Sequence, residues 1–435
     1  MEIYRAEAGD TPASVAARYG IGTQRLAEEN GISPDASLVP GQALVIVIPE
    51  QVYTVREGDT LFSVAAAYGV TTESLQRNNP ALRGGDTLYP GQTLVISYAD
   101  DKLGTVSVNG YAYPNIDPAV LAQTLPYLTY LTIFSYGITR DGRLLPPDDG
   151  ALIAAARAAG VAPLLLLSTL GEDGRFNNAL SSLILNNTDI QEALIDELIR
   201  TVQEKEYYGV DVDFEFVLPE ERELYVQFLT RMTGRMNGEG IPVMAALAPK
   251  TSADQPGLLY EAHDYAGIGA AVNAVLLMTY EWGYTYGPPM AVAPLRNVRE
   301  VIAFGVSQIP SEKIFMGIPN YGYDWTLPFV AGESRARSLG NVQAVELAAE
   351  YGASIRWDST AQTPFFYYTG TDGAEHVVWF EDAESIDAKL GLITEYALRG
   401  CSVWNLMRWF PQLWTVLNAR YDIRRQDLSG GRLQL

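Results

Sequence analysis

Three carboxylic acids alternate with apolar residues in one short stretch of the sequence. Asp211, Asp213 and Glu215 share one parity, and the other parity is apolar: Val210, Val212, Phe214 and Phe216. Successive side chains of a β-strand point to opposite faces, so this pattern predicts a strand with the acids on one face. Side chains of equal parity lie roughly 6.5–7 Å apart. At that spacing the charges raise the pKa of at least one acid, and the group titrates as a coupled set.

A raised carboxyl pKa suits general-acid catalysis, because the acid must still be protonated near neutral pH. Two other interpretations compete with this one. A solvated acidic edge strand is disfavoured by the bulky apolar parity, which needs a second layer behind it. A metal site remains an alternative, although Asp-x-Asp-x-Glu supplies only oxygen ligands and no histidine lies nearby.

The acidic strand belongs to a series of apolar segments separated by helical spacings such as 190–205, 220–236 and 294–304. The predicted strands are Thr105–Tyr111, Tyr130–Tyr136, Ala162–Ser168, 208–216, Val243–Ala248, Val275–Tyr280, Lys313–Pro319 and Ser402–Leu406. Eight near-continuously apolar strands that alternate with helices indicate an α/β fold, a (β/α)8 TIM barrel.

Residues 335–380 interrupt this alternation between the seventh and eighth predicted strands. The aromatic run Phe365–Tyr368 and the segment Val377–Phe380 flank an Asp372-Gly373 turn. Strand-like runs joined by Asp-Gly predict an antiparallel hairpin. The pattern therefore predicts an antiparallel hairpin insertion at this place.

The first hundred residues contain an internal repeat, with copies at 2–49 and 52–98. Tyr4 and the following Gly-Asp-Thr recur from Tyr53, and Pro-Gly-Gln at 40–42 recurs at 90–92. The spacing predicts strand, helix, helix and strand in each copy, with Asp10 and Asp59 as helix N-caps. These copies resemble LysM modules, small βααβ folds that bind chitin or peptidoglycan glycans. A purely structural repeat is the alternative.

The acidic strand itself resembles the Asp-x-Asp-x-Glu signature on the fourth barrel strand of glycoside hydrolase family 18. The family's longer motif has a further aspartate at the position of Tyr208, and its glycine is present as Gly209. The resemblance implies a catalytic barrel over 103–428 and a substrate that carries an N-acetyl group. It also implies that 335–380 is an α+β insertion that forms one wall of the substrate groove.

Bulk composition excludes several functional classes. The net charge of −22 over 435 residues argues against nucleic acid and anionic membrane surfaces as partners. The single Cys401 and the two histidines, His263 and His376, make a disulfide, a histidine metal site or a serine triad improbable. We expect no metal and no cofactor. The N-terminus shows no classical signal peptide, and no apolar run is long enough to span a bilayer.

Aromatic and polar residues accumulate where the predicted strands end, which is where barrel enzymes place their chemistry. Aromatic faces stack on sugar rings, so these residues predict a carbohydrate groove. The candidate substrate-binding residues are Tyr111, Met278, Trp282, Asn320, Tyr321 and Trp404. The alternative is that any one of them simply plugs the barrel mouth.

The family resemblance implies a role for each catalytic candidate. Glu215 is the general acid and then the general base, Asp213 orients the substrate's acetamido group, and Asp211 tunes Asp213. Met278-Thr279-Tyr280 resembles the family's Met-x-Tyr segment, which implies that Tyr280 contacts the acetamido group. The family is an exception to the rule of a carboxylate nucleophile, because the substrate's own acetamido oxygen attacks.

The whole chain resembles LysM-bearing family 18 enzymes of spore-forming bacteria, which are cortex-lytic N-acetylglucosaminidases. This implies a retaining N-acetylglucosaminidase that acts on spore cortex peptidoglycan, with LysM modules that raise the local substrate concentration. It also implies a location in the spore coat or cortex after synthesis in the mother-cell cytoplasm. Two alternatives remain: a chitinase or chito-oligosaccharide hydrolase, and a non-catalytic glycan-binding coat protein.

Overall fold

The computed structural model describes residues 1–170 and 178–428, and the chain begins with two copies of one small fold. The copies consist of β1 (Glu2–Arg5), α1 (Pro12–Tyr19), α2 (Thr23–Asn30), β2 (Ala43–Ile46), and then β3 (Pro49–Thr54), α3 (Leu61–Tyr68), α4 (Thr72–Asn78) and β4 (Thr93–Tyr98). In each copy the two strands pair antiparallel. The predicted βααβ order is confirmed.

The prediction that Asp10 and Asp59 cap the first helix of each copy is wrong by one residue. The cap is the following threonine: Thr11 Oγ1 accepts the N–H three residues later at 3.1 Å, and Thr60 does so at 3.0 Å. The Asp10 carboxylate instead accepts the Tyr4 hydroxyl hydrogen bond at 2.6 Å. The aspartate therefore fixes the loop before the helix to the preceding strand.

The main domain is a closed barrel of eight parallel strands with helices outside. The strands and their short flanking partners are β5 (Thr105–Ala112), β6 (Tyr130–Ile138), β7 (Leu144–Leu145), β8 (Ala162–Ser168), β9 (Gly209–Asp213), β10 (Val243–Leu247), β11 (Ala274–Leu277), β12 (Ile314–Pro319), β18 (Gly400–Trp404) and β19 (Asp422–Ile423). Parallel pairing runs β5-β6-β8-β9-β10-β11-β12-β18, and β18 pairs with β5 to close the barrel. The predicted TIM barrel is confirmed.

The helices around the barrel connect the carboxyl end of one strand to the amino end of the next. They are α5 (Pro118–Thr124), α6 (Gly150–Ala158), α7 (Asn178–Leu185), α8 (Thr188–Glu204), α9 (Arg222–Gly238), α10 (Tyr265–Ala271), α11 (Leu295–Gln308), α13 (Ala383–Glu395) and α14 (Pro411–Arg420), with 3-10 turns at Leu125–Tyr127, Pro219–Glu221 and Ser311–Lys313. A further 3-10 turn, Pro80–Leu82, follows α4 in the second N-terminal copy. In the part of the chain that the structure describes, no helix combines the length and apolar character that a bilayer span requires.

The insertion lies between β12 and β18 and forms its own sheet. Its elements are β13 (Gly322–Leu327), β14 (Arg337–Leu339), α12 (Asn341–Glu350), β15 (Arg356–Asp358), β16 (Thr363–Thr369) and β17 (Glu375–Trp379), in the order β14-β13-β17-β16-β15. Strands β16 and β17 form the predicted antiparallel hairpin. Gly373 turns the chain at φ +83°, a conformation that favours glycine. The sheet also includes β13, which lies before residues 335–380, the segment that the sequence predicted as the insertion.

Two apolar layers position the site. A cluster that includes Leu166, Met244 and Phe315 fills the barrel interior, and a larger cluster packs between the strands and the outer helices. Asp211 pairs in register with Leu166 on β8 and with Met244 on β10, so its parity faces the interior. Val210 belongs to the outer cluster. The alternation read from the sequence therefore points the acids into the barrel.

Helix α14 joins both N-terminal copies to the barrel through three buried polar residues spaced three apart. Gln412 donates to Asn30 Oδ1 at 3.0 Å and Thr415 donates to the Glu29 carbonyl at 3.1 Å, both in the first copy. Asn418 donates to Asn78 Oδ1 at 2.9 Å, in the second copy. The first copy thus contacts the beginning of the helix and the second copy contacts its end.

Gln412→Ala should lower the free energy of unfolding by about 3 kcal/mol, because it leaves a cavity and strands buried polar groups. Gln412 also donates to the Ala43 carbonyl at 2.7 Å and accepts the Ala383 N–H at 3.0 Å. Urea unfolding followed by fluorescence and circular dichroism measures the change. Gln308→Ala, at an exposed position of α11, is the control; equal losses for the two variants would contradict the prediction.

Candidate active site

Asp211 lies inside the barrel and is fully buried. Its Oδ2 accepts a hydrogen bond from the Tyr111 hydroxyl at 2.6 Å, across from β5. Burial raises the pKa of Asp211 to about 7, and the Tyr111 hydrogen bond opposes that rise. Sequence reasoning assigned Tyr111 to substrate binding, whereas the structure uses its hydroxyl to hold Asp211.

Asp213 and Glu215 lie at the carboxyl end of β9. The strand ends at Asp213, and Glu215 sits in the turn that follows, so the predicted strand over 208–216 is shorter than expected. Burial and the charges of Glu215 and Asp211 raise the pKa of Asp213 well above its usual range. Burial and the charge of Glu281 raise the pKa of Glu215 to about 7. A pKa of about 7 leaves a substantial fraction of Glu215 protonated at neutral pH.

The turn that carries Glu215 is fixed from behind by aromatic packing. Phe214 is fully buried and its ring stacks on Tyr225 and Phe228, each with ring centroids 5.8 Å away. The Phe214 carbonyl lies 3.1 Å from His263 Nε2. Burial lowers the pKa of His263 to about 4, so the ring is neutral at neutral pH. This neutral contact immobilises the backbone between Asp213 and Glu215.

Tyr280 lies beyond the end of β11 and is 8 % exposed. Burial and the charges of Asp213 and Glu215 raise its pKa well above the usual range, so its hydroxyl remains a donor. Its ring lies over Gly317 on β12, where an added Cβ would come within 2.7 Å of Tyr280 Cε1. The absence of a side chain at Gly317 is what allows the ring to occupy this place.

Glu281 is a fourth acid at the site that sequence reasoning did not single out. It accepts hydrogen bonds from the Tyr321 hydroxyl at 2.5 Å and the Tyr323 hydroxyl at 3.0 Å. Its φ of +67° is unusual for a residue with a side chain. The available signal was its position directly after Tyr280. The charge of Glu281 raises the pKa of Glu215, so the two acids interact electrostatically.

Trp404 ends β18 and lies at the centre of an aromatic group. Its ring centroid is 5.5 Å from Tyr111, 5.5 Å from Phe134 and 6.1 Å from Tyr113. All the contacts with Tyr111, Tyr113 and Phe134 are edge-on or tilted, and Trp404 is half-buried. Tyr113 and Phe134 escaped the sequence analysis because no motif marks them: Tyr113 follows the end of β5, and Phe134 lies within β6. Together these rings offer an apolar platform for a sugar ring.

The remaining candidates divide between the site and its support. Met278, Tyr321 and Trp404 join the aromatic cluster that contains Tyr280. Asn320 is buried and donates to the carbonyls of residues 405 and 408 at 2.9 and 2.8 Å, so it braces the loop after Trp404. Trp282 packs against the outer core instead. The structure thus gathers three of these five and gives the other two supporting positions.

The arrangement can donate and accept protons next to an apolar platform. Among residues 1–170 and 178–428, no group of three or more histidine, cysteine, aspartate or glutamate side chains is arranged to hold a metal ion. Within the same described residues, Asp211 Oδ1 and Asp213 Oδ1 are buried and have no hydrogen-bond partner. Buried polar atoms normally have a partner, so these oxygens are suited to receive one from a ligand.

Comparison with known families agrees with this geometry. The profile of glycosyl hydrolases family 18 matches residues 163–408, and the LysM domain profile matches residues 4–47 and 53–97. The chain belongs to glycosyl hydrolase family 18. This family 18 enzyme therefore carries two LysM domains ahead of its catalytic barrel.

Three relatives align with the chain over nearly its whole length. The chain is 41% identical to a cortical fragment-lytic enzyme of Bacillus subtilis over 430 residues, which cover 97% of this chain and 99% of that protein. The solved structure of the spore cortex-lytic enzyme SleL of Bacillus megaterium has 38% identity and a TM-score of 0.83, with 98% and 99% coverage. SleL of Bacillus cereus has 36% identity and the same TM-score, with 98% coverage of each chain.

Gly317→Ala should reduce glycosidase turnover at least tenfold, because the new methyl group would lie 2.7 Å from the Tyr280 ring, 2.9 Å from the Leu277 carbonyl oxygen and 3.0 Å from the Thr279 nitrogen. The segment that carries Tyr280 must then move, and small misplacements are costly in catalysis. Steady-state kinetics on a soluble N-acetylated oligosaccharide measures this. Gly234→Ala on α9 is the matched control, since no described heavy atom lies within 4 Å of its added Cβ. Wild-type turnover in Gly317→Ala, with both variants folded, would contradict the role of this contact.

Asp211→Asn should stabilise the fold more at pH 8 than at pH 5, by roughly 1–2 kcal/mol. The raised pKa of about 7 means that the folded chain keeps a proton which the unfolded chain releases near pH 4. Wild-type stability therefore declines as pH rises through this window, and asparagine removes the decline. Urea unfolding at both pH values tests it, with exposed Asp35→Asn as control; a pH-independent difference would refute the assignment.

Proposed function

We propose that this enzyme hydrolyses the glycan of spore cortex peptidoglycan at N-acetylglucosamine residues. The support is that proteins named as cortical fragment-lytic and spore cortex-lytic enzymes align with it over nearly their whole length, both LysM domains included. The LysM domains support binding to a peptidoglycan or chitin-type glycan. The same relatives support a location in the spore, in its coat or cortex.

The observation that carries the catalytic proposal is the buried row Asp211, Asp213 and Glu215 with raised pKa values. Glu215 is half-buried at the mouth and holds a proton near pH 7, so it acts as the general acid. Asp213 lies deeper, and its unpartnered Oδ1 accepts the N–H of the substrate's acetamido group. Tyr280, with its hydroxyl protonated, donates to the acetamido oxygen.

The reaction then proceeds in two balanced steps with retention of configuration. The acetamido oxygen attacks the anomeric carbon while the bond to the leaving oxygen breaks, and Glu215 gives that oxygen its proton. The resulting cyclic oxazolinium is positively charged, and the Asp213 carboxylate stabilises it. Glu215, now ionised, removes a proton from water, and the hydroxide opens the ring at the anomeric carbon. The first proton of Glu215 leaves on the released hydroxyl group and water replaces it, so the net reaction adds one water molecule across the glycosidic bond.

The groove and the division of the chain follow from the same proposal. The Trp404 platform forms the floor below the sugar before the scissile bond, and the insertion over 335–380 with β13 forms one wall. The functional units are LysM modules at 2–49 and 52–98 and a catalytic domain at 103–428. Met278 and Tyr321 complete the sugar site, whereas Asn320 and Trp282 act through the loops they hold.

Glu215→Gln should lower turnover by about 10²–10⁴-fold, because the amide has nearly the same shape and cannot transfer the proton. Calorimetric titration with a soluble oligosaccharide should show nearly unchanged affinity. Glu220→Gln, an exposed acid five residues away, controls for the loss of a charge and should keep full turnover. Unchanged turnover in Glu215→Gln would disprove the mechanism.

Product analysis separates this function from its rivals. Purified spore cortex fragments and chitin oligosaccharides are incubated separately with the enzyme, and new reducing ends are read by mass spectrometry. N-acetylglucosamine ends from cortex fragments are the expected result. Cleavage of chitin oligosaccharides alone would reassign the enzyme as a chitinase. Binding without any product would make it a glycan-binding coat protein.

A further inference from the structure

The insertion sheet carries a polar pocket of about 540 Å³ between Asp324, Arg337, Tyr351 and Asp372, the outer pocket. Strand β13, the chain at the start of β14, the end of α12 and the turn between β16 and β17 line it. This volume lies within the range of ordinary ligand sites, roughly 300–1,000 Å³. Its size therefore makes the outer pocket a candidate binding site.

Neighbouring residues of β13 face opposite sides of the insertion sheet. The Tyr323 hydroxyl donates to Glu281 at the catalytic mouth at 3.0 Å, whereas Asp324 lines the outer pocket. Successive side chains of a strand alternate in this way. A ligand in the outer pocket therefore lies behind the wall of the groove and does not compete with a sugar ring at the mouth.

The buried carboxylate of Asp324 forms the floor of the outer pocket. Three donors reach it: the Tyr368 hydroxyl at 2.9 Å, His376 Nδ1 at 3.0 Å and the Arg337 guanidinium at 3.1 Å. The Tyr368 ring stacks on His376 with centroids 4.5 Å apart, and the Tyr351 ring lies 4.6 Å from Tyr368. Asp324 therefore holds these side chains in fixed positions, as in a preformed ligand site.

One side of the outer pocket is cationic. Arg335 and Arg337 are both exposed and both line it. Asp324 engages the Arg337 guanidinium, but 66 % of the side chain remains exposed, so further N–H groups are open to a ligand. Arg335 is held over the Tyr286 ring, 5.0 Å from its centroid, and donates to the Tyr286 hydroxyl at 2.6 Å. Two guanidinium groups on one side favour a carboxylate, which each can bind through parallel hydrogen bonds.

The side beyond β13 accepts hydrogen bonds. The sheet order β14-β13-β17-β16 places the β16–β17 turn, with exposed Asp372, across β13 from the arginines. His376 Nδ1 faces a carboxylate and so carries the hydrogen, which leaves Nε2 as an acceptor in the neutral ring. An added Cβ at Gly370 would lie 3.3 Å from Nε2 and 2.8 Å from an Asp372 oxygen, so both acceptors lie at this turn. Glu350, at the end of α12, adds a second exposed carboxylate to the lining.

The outer pocket thus combines both charges with an aromatic surface, and this disfavours two classes of ligand. A ligand with anionic groups alone meets the carboxylates of Asp372 and Glu350, and a neutral sugar leaves the arginines without an anion. A short peptide with a carboxylate and an amino group satisfies both sides, and its small apolar side chains can pack on Tyr351. Peptidoglycan differs from chitin in bearing such peptides along its glycan.

We propose that the outer pocket binds the short peptide that branches from the glycan of peptidoglycan, with a peptide carboxylate at Arg335 and Arg337 and a peptide amino group at Asp372. The proposal deepens the proposed function and rests on it for the class of polymer. It gives the insertion a second role: one face of its sheet forms the wall of the groove, and the other face selects peptide-bearing glycan over chitin.

Binding at the outer pocket has a kinetic signature that a structural role lacks. The peptide is remote from the scissile bond, so its contacts are the same in the bound substrate and in the transition state. Loss of such contacts raises KM and leaves kcat unchanged. Damage transmitted through β13 to Tyr323 and Glu281 would instead lower kcat on every substrate.

The test uses the full chain with Thr326→Trp and Arg337→Gln. Thr326 is exposed on β13 and lines the outer pocket, so tryptophan, a residue that strands accept well, fills it. Arg337→Gln removes a cation while two other donors still hold Asp324. Thr369→Trp, exposed on β16 and outside the pocket lining, is the matched control.

Two substrates separate the contribution of the peptide from that of the glycan. They are spore cortex fragments with their peptides, and the same fragments after an amidase has removed the peptides. Steady-state kinetics on both gives KM and kcat, and calorimetric titration with the free peptide of peptidoglycan measures binding without turnover. Circular dichroism checks that each variant is folded.

We expect the wild type to have a lower KM on peptide-bearing fragments than on peptide-free fragments. On peptide-bearing fragments Arg337→Gln should raise KM about three- to fivefold, the size of one exposed ion pair, and Thr326→Trp should raise it at least as much. The KM on peptide-free fragments and all kcat values should stay at the wild-type level. Thr369→Trp should match the wild type on both substrates.

Three results would overturn the proposal: equal KM values of the wild type on the two substrates, wild-type KM in both pocket variants, or an equal rise in Thr369→Trp. A loss of kcat on both substrates overturns it as well, because it assigns the pocket a structural role. Failure of the proposed function looks different. The wild type would then turn over neither substrate, while the free peptide would still bind to it and not to Thr326→Trp.

Discussion

Removing Asp211, Asp213 and Glu215 from water is the constraint on which the rest of the site depends. Burial raises the pKa of each, and the raised values of Asp211 and Glu215 lie near 7. An ionised carboxylate in such surroundings is costly, so Asp211 and Glu215 hold protons at pH values at which exposed acids would release them. The barrel supplies the low-polarity surroundings, and the mouth leaves only Glu215 in partial contact with solvent.

The neighbouring side chains divide the three acids into different states. Tyr111 donates to Asp211 and favours its ionised form, while Asp213 lies between two other acids and receives no hydrogen bond from the described residues. Glu281 accepts hydrogen bonds from the hydroxyl groups of Tyr321 and Tyr323, and its charge raises the pKa of Glu215. The three acids are chemically similar, but each has different neighbours. Their pKa values and hydrogen bonds therefore differ, and each can serve a different role.

The same chain also has to place a small catalytic mouth against a large insoluble polymer. Helix α14 fixes both LysM copies through Gln412, Thr415 and Asn418, which lie along its length. A rigid attachment keeps the module pair at a constant distance from the catalytic mouth. A glycan bound by the modules is therefore held at a fixed distance from the mouth, which a flexible linker would not ensure. The buried polar contacts specify this docking geometry, since few other arrangements would satisfy all of them.

The sequence by itself determined the barrel, the repeat and the acidic row. These features depend on periodicity and on residue order, which are local properties that survive without knowledge of long-range contacts. The hairpin at Asp372-Gly373 belongs to the same class, because its turn chemistry is encoded in adjacent residues. The helix caps at Asp10 and Asp59 were misjudged by one residue because Asp and Thr are both good caps and only the loop geometry selects between them.

Only the tertiary structure decided which residues meet. Glu281 and Tyr113 reach the site from two loops, and Phe134 reaches it from within β6. Gly317 matters because its missing side chain makes room for Tyr280. Tyr111 and Asn320 are of residue types that often bind substrates, and the sequence does not show their partners. In the structure the Tyr111 hydroxyl donates to Asp211, and Asn320 donates to the loop after Trp404. Tyr111 and Asp211, for example, lie 100 residues apart in the sequence. The sequence shows which residue types are available for these contacts. Which of them meet is determined only when the barrel closes and brings distant strands together.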